Sequence, residues 1–201
     1  MDGFIFFWFT WSVWIYATFI MDKNNKLRYP LACFSLILII LSHFSFRFFG
    51  LEISLAAVFL LLVGYKILAK KRLWLLLYML IAVLTISLAY CIYFMFSLYD
   101  PVWFFIHDEI LFGIITTILS SILCKHFSDK MTVLLTGMVH GDLIYAYVLH
   151  TFQIDYPAGS FSFLDHLISA SLIMTVWHGW LQLQRLLQQK LQQEREKQVL
   201  E

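Results

Sequence analysis

The chain has 201 residues, of which 61% are apolar and 13% charged, and a net charge of +1. Soluble domains run at roughly half apolar and a quarter charged, and a core of this size cannot hide so much apolar surface, whereas a lipid bilayer can. A near-neutral chain whose cations form short, separated clusters also excludes an electrostatic nucleic-acid binder.

A transmembrane helix needs about 20 apolar residues at about 1.5 Å rise each, fewer where flanking side chains snorkel. Seven segments meet that requirement. The first, Phe4–Met21, is crowded with Phe6, Phe7, Trp8, Phe9, Trp11, Trp14 and Tyr16, the residues of an interfacial aromatic belt. It has no basic stretch before it and its cations follow it, so it reads as a retained span rather than a cleaved signal. Pro30–Phe46 comes next, with Pro30 in a first turn where a missing N–H costs nothing. Ile53–Leu68 is joined to it only through Arg47–Glu52, which predicts a tight hairpin. Leu73–Phe96 ends at the turn pair Asp100-Pro101. Ile110–Cys124 is the shortest span. Met131–Phe152 leads into the turn sequence Tyr156-Pro157-Ala158-Gly159, and His166–Leu187 closes the series. Beyond it the chain is rich in glutamine, with Leu183, Leu187 and Leu191 at i, i+4 and i+8. The last helix is therefore expected to run on, dividing the chain into a transmembrane domain over 1–187 and a helical tail over 188–201.

The cations sort these spans. Lys23, Lys26 and Arg28 follow the first, Lys66, Lys70, Lys71 and Arg72 the third, Lys125 and Lys130 the fifth, and Arg185, Lys190, Arg195 and Lys197 the seventh. The alternate connections carry Arg47 alone. The positive-inside rule then predicts an all-α, polytopic protein with seven transmembrane helices, its N-terminus outside and its C-terminus cytoplasmic. Cys33, Cys91 and Cys124 are widely separated within apolar runs. They offer no ligand spacing, so no metal, disulfide framework or cofactor is expected.

The strongest candidate for chemistry is Asp142, 12 residues past Lys130 and hence about 18 Å along a helix. A carboxylate at that depth costs about 2.5–3.5 kcal/mol on insertion scales and should face a partner helix or a wet cavity. Gly137 and Gly141 share one face and allow close helix approach. His140 and Asp142 flank that seam, each about 100° from Gly141, and Tyr145 offers Asp142 a hydroxyl at i+3. The seventh span carries Ser171, Thr175, His178 and Gln182 on one face. The fifth carries Glu109, Gly113, Thr117 and a serine in similar register. Such stripes are first of all helix-packing surfaces. The alternative is a polar track through helices 5–7, entered at Glu109, with Asp142, His140 or His178 near its middle. His43, His107, His150 and His166 gather toward the outer half, where capping and interface solvation account for them. GxSxG, HExxH, Walker and dinucleotide-binding motifs are absent, which argues against an enzyme.

The opening run Trp8-Phe9-Thr10-Trp11-Ser12-Val13-Trp14-Ile15-Tyr16-Ala17-Thr18-Phe19, with the chain length and seven spans, resembles the YphA-like family of small multipass proteins of endospore-forming bacteria. The resemblance covers essentially the whole chain and implies a bacterial plasma-membrane location, with no reaction and no site residues. The expectation is a non-catalytic scaffold or accessory subunit, its partners being the lipid bilayer and either a membrane protein or a second copy, engaged through the glycine seam or the Gln/Leu tail. The alternative is a small permease or proton or ion conductor.

Overall fold

The computed structural model describes residues 2–100 and 108–200, with the side chains of these apart from 108, 109, 191 and 193–200. Among the described residues there are seven α-helices: α1 (Phe4–Ile15), α2 (Arg28–Leu41), α3 (Leu55–Leu68), α4 (Leu73–Tyr99), α5 (Asp108–Leu123), α6 (Phe127–Thr151) and α7 (Phe161–Leu200). A π-helical turn, Tyr16–Ile20, extends α1. Two strands, β1 (Ser45–Phe48) and β2 (Leu51–Ser54), link α2 to α3, so the expected all-α architecture acquires a small β-hairpin.

Sequence periodicity explains the packing. Along α4, Met79, Ala82, Val83, Ile86, Ser87 and Tyr90 recur at helical spacing and are buried, while Leu77, Ile81, Leu84, Leu88 and Ile92 are exposed on the other side. A helix exposing so much Leu and Ile suits hydrocarbon rather than water. The buried face of α4 receives α6. A Cβ added at Gly137 would lie 2.7 Å from the Ile86 Cβ, and one at Gly141 2.5 Å from the Tyr90 Cβ and 2.8 Å from the Ser87 carbonyl. The Gly-x-x-x-Gly seam is thus filled by the chain's own fourth helix. Gly113 of α5 lies as tightly against α7, where its Cβ would meet Ile173 Cδ1 at 2.5 Å. Helix α6 is buried around most of its circumference and forms the axis of the bundle.

The connections fall at two ends. Gly3 and Phe6 at the start of α1 meet Asp165 near the start of α7, and the hairpin after α2 pairs with the loop after α6. At the opposite end, Lys71 between α3 and α4 bonds Asp129 of α6 at 2.5 Å, and Tyr78 of α4 donates to the Leu123 carbonyl of α5 at 2.6 Å. Helices consecutive in the chain therefore run in opposite directions, which leaves the packed pairs α4/α6 and α5/α7 parallel. Lys66, Lys70, Lys71, Arg72, Lys125 and Lys130 gather at this second, lysine-rich end, and Arg47 at the hairpin end.

By length and composition, α4 and α6 are long and apolar enough to cross a membrane, whereas Phe4–Ile20, α2, α3 and Ile110–Leu123 are shorter. At 14 residues each, α2 and α3 reach about 21 Å, against a hydrocarbon thickness of about 30 Å. The segments expected at Pro30–Phe46 and Ile53–Leu68 each give up two residues to the strands, where Phe46 pairs with Ile53 and Arg47 with Glu52. Phe49 and Gly50 both take positive φ (50° and 82°), as a two-residue turn matched to strand twist requires. At 40 residues, α7 extends about 60 Å, twice that thickness.

The π-turn frees carbonyls that a regular helix would use. Arg28, at the start of α2, reaches back to them, its Nε donating to the Ala17 carbonyl at 3.1 Å and its Nη2 to that of Thr18 at 2.5 Å.

Candidate functional site

Asp142 is 1% exposed, and donors from two directions meet it. Tyr90 of α4 donates to Oδ1 at 3.0 Å. Tyr156, in the loop after α6, donates to the same oxygen at 2.9 Å. The Gly159 N–H donates to Oδ2 at 2.6 Å. A buried carboxylate is tolerable when its oxygens accept such bonds, and the charge strengthens each of them.

Local geometry brings these donors in. Close approach at Gly141 sets α4 and α6 near enough for Tyr90 to reach across. The loop is held by the hairpin: Ser54 N–H donates to the Ala158 carbonyl at 2.9 Å, and Ala158 N–H to the Glu52 carbonyl at 2.8 Å. Residues around Ala158 thus run alongside β2 as a third extended segment. Gly159 then turns inward with φ +74°, and a Cβ there would lie 2.7 Å from the Ala57 Cβ and 2.9 Å from the Ser54 Cβ. Left-handed backbone and close packing both demand glycine at this position. Burial first, then the Asp142 charge, pushes the Tyr156 phenol well above its ordinary value, so it serves as a proton-bearing donor.

The sequence pointed Asp142 toward Tyr145, and the structure corrects this. Tyr145 stacks edge-on against Tyr156 at 5.0 Å, and its hydroxyl is not among the donors to Asp142. Tyr156 and Gly159, read from sequence only as turn residues, supply two of the three, and Tyr90 lay unnoticed among the apolar residues of α4. A tyrosine at helical spacing from Val83, Ile86 and Ser87 was the available signal.

The other candidates do not converge on Asp142. His140 faces α3, where its Nε2 accepts from the Tyr65 hydroxyl at 2.6 Å and its Nδ1 donates to the Thr136 carbonyl at 2.7 Å. His178 stacks on Phe127 with ring centroids 4.5 Å apart and bonds Gln182 at 2.9 Å. Thr175 is exposed, its hydroxyl returned to the Ser171 carbonyl. Thr117 is buried on α5, and its hydroxyl has no hydrogen-bond partner among the described residues. His107 and the side chain of Glu109 lie outside the described residues. No group of three or more His, Cys, Asp or Glu among the described residues is placed to hold a metal.

Another buried carboxylate, Asp165 of α7, caps α1, Oδ2 accepting from Gly3 N–H and Oδ1 from Phe6 N–H, both at 2.7 Å.

The chain is 30% identical to the uncharacterized protein YphA of Bacillus subtilis strain 168 over 178 residues, covering 87% of this chain and 85% of that one. No solved structure matches it. The family model for YphA-like integral membrane proteins matches residues 2–199, so the chain belongs to that family of integral membrane proteins.

Proposed function

We propose that the protein is a non-catalytic scaffold or accessory subunit of the bacterial plasma membrane, crossing it seven times with its N-terminus outside and its C-terminus in the cytosol. Segregation of the lysines to one end of the bundle supports this orientation. The observation that carries the functional reading is the saturation of Asp142. Its oxygens are taken up by Tyr90, Tyr156 and Gly159, so the carboxylate fastens α4, α6 and the following loop together rather than standing open to a solute.

Because α4 fills the Gly137/Gly141 seam, the surface left for a protein partner or second copy is the extension of α7, where Leu183, Leu186 and Leu187 are about half exposed. A small permease or proton conductor is the second reading. It draws support from Thr117 in the polar stripe of α5, whose buried hydroxyl has no partner among the described residues.

Proteoliposomes holding the purified full chain distinguish the two. The scaffold reading expects proton and potassium fluxes equal to those of protein-free vesicles, and loss of self-association or partner recovery when Leu183, Leu186 and Leu187 are replaced by glutamine. Flux above that background, lowered by Thr117→Val with folding intact, overturns it.

A further inference from the structure

At the hairpin end, a cleft of about 180 Å³ opens between the strands and the loop after α6, with Arg47, Glu52, His150, Asp155 and Tyr156 among its walls. That is about six times the ~30 Å³ that one water occupies in the liquid, and well below the ~300 Å³ at which drug-sized pockets begin. The occupant is therefore a small solute or a headgroup.

Arg47 and Glu52 are directly opposite in the strand register, and opposed charges there ordinarily pair. Here they do not. Glu52 Oε1 accepts from the Ser45 hydroxyl at 2.8 Å. Among the described residues, the side chains of Arg47, His150 and Asp155 make no hydrogen bond or ion pair. The turn at Gly50 lies close to the His150 ring, to whose Nε2 an added Cβ would stand 2.8 Å, so hairpin and α6 both wall the cleft.

A simple anion in this cleft would meet Arg47 but also Glu52 and Asp155. A simple cation would meet the carboxylates but also Arg47. Like charges held close are repulsive, and a ligand bearing both signs satisfies all three groups. We propose that this cleft binds a small zwitterion, a primary ammonium within a few bonds of an acid group, with Arg47 receiving the acid and Asp155 and Glu52 the ammonium. A free amino acid and the headgroup of an ethanolamine phospholipid share that chemistry. Because Tyr156 lines the cleft and also bonds Asp142, occupancy braces the loop against the bundle and should raise its resistance to unfolding.

The full chain in phosphatidylcholine nanodiscs is heated with increasing glycine at constant ionic strength, following tryptophan emission. Methylammonium and acetate serve as half-ligands. A saturable rise in midpoint with glycine alone is expected, its apparent affinity falling about tenfold in Arg47→Gln and in Asp155→Asn, since each removes one charge-assisted contact. Neither side chain is bonded to the fold, and Glu52→Gln, which can still accept from Ser45, is the second check. Discs containing phosphatidylethanolamine identify the source. If the midpoint is already raised there and glycine adds nothing, the headgroup is the occupant; if glycine acts equally in both discs, it is the free solute. Absence of both a saturable glycine response and an ethanolamine-lipid effect overturns the proposal. So does either response persisting unchanged in all three variants.

Discussion

Replacing Asp142 by alanine tests whether the carboxylate is a fastener. Three donors lose their acceptor: Tyr90 Oη, Tyr156 Oη and the Gly159 N–H, now bonded at 3.0, 2.9 and 2.6 Å. A stranded buried donor costs about 1–3 kcal/mol. Tyr156 lines the cleft and can turn toward water, so Tyr90 and Gly159 carry most of the penalty, about 2–6 kcal/mol together. Removing a buried charge returns part of this, leaving a net loss of about 2–4 kcal/mol. Asparagine keeps one oxygen for the tyrosines but can set its NH₂ against the Gly159 N–H, so Asp142→Asn forfeits one charge-assisted bond and loses about 1–2 kcal/mol. Equilibrium unfolding in mixed detergent micelles measures both. The expected order of stability is wild type, then Asp142→Asn, then Asp142→Ala. A double-mutant cycle with Tyr90→Phe should show coupling of about 1 kcal/mol. An alanine variant as stable as wild type would refute the argument, because desolvation of the carboxylate would then equal everything its hydrogen bonds supply.

Gly159→Ala should cost about 2–5 kcal/mol in the same assay, combining left-handed strain of about 1–2 kcal/mol with overpacking of about 1–3 kcal/mol against Ala57 and Ser54. Arg28→Ala should cost about 1–3 kcal/mol by leaving the Ala17 and Thr18 carbonyls without their donor, and Arg28→Lys, with no planar fork to reach both, should recover only part of it. In Asp165→Ala, the Gly3 and Phe6 amides should exchange with deuterium at least tenfold faster while those of α6 stay unchanged, since the carboxylate is the acceptor of both. Tyr156 is held protonated in the fold above its ordinary value of 10.0. The folded state therefore binds more protons than the unfolded one at alkaline pH. Its stabilising contribution is complete below about pH 10 and declines as pH rises above it, and Tyr156→Phe should flatten that decline in an alkaline unfolding series.

The sequence carried the helices because they need only apolar runs and flanking cations, and it carried the close approach at Gly137 and Gly141 because small residues four apart leave a groove. It did not identify what enters that groove. Val83, Ile86, Ser87 and Tyr90 are spaced to fit it, yet α4 is so uniformly apolar that its packed face and its exposed face look alike. The connection Arg47–Glu52 announced a tight turn, and Phe46 and Ile53 went unrecognised as strand residues because apolar helix ends and short strands share the same composition. The stripe from Ser171 to Gln182 was visible as periodicity. Periodicity places residues on one face without saying whether that face turns inward, and at Thr175 it turns outward. Asp142 stood out as a buried charge needing partners, but two of them lie 14 and 17 residues downstream in the loop, beyond any local spacing rule.

Two of the buried carboxylates, Asp142 and Asp165, answer a common physical problem. A helix start leaves amide donors unpaired, and a loop folded back against a bundle leaves others. At the hairpin end, Asp165 takes the amides of Gly3 and Phe6, and Asp142 takes that of Gly159 with two tyrosine hydroxyls. In each case the carboxylate belongs to one helix and the donors to a segment that must be drawn in. Asp165 secures the first helix to the last, and Asp142 secures the loop that carries the hairpin. The opposite end is joined differently, by the half-buried pair of Lys71 with Asp129 and by Tyr78 on a carbonyl. Lys71 keeps 28% of its side chain exposed, so salt reaches that pair more readily than the bonds to Asp142 and Asp165, which are 1% and 4% exposed. Raising salt should therefore loosen the lysine-rich end first, seen as faster amide exchange at the start of α4 and of α6 with the amides of Gly3, Phe6 and Gly159 unaffected. Uniform loosening at both ends would contradict this division between a charge-sealed end and a salt-sensitive one.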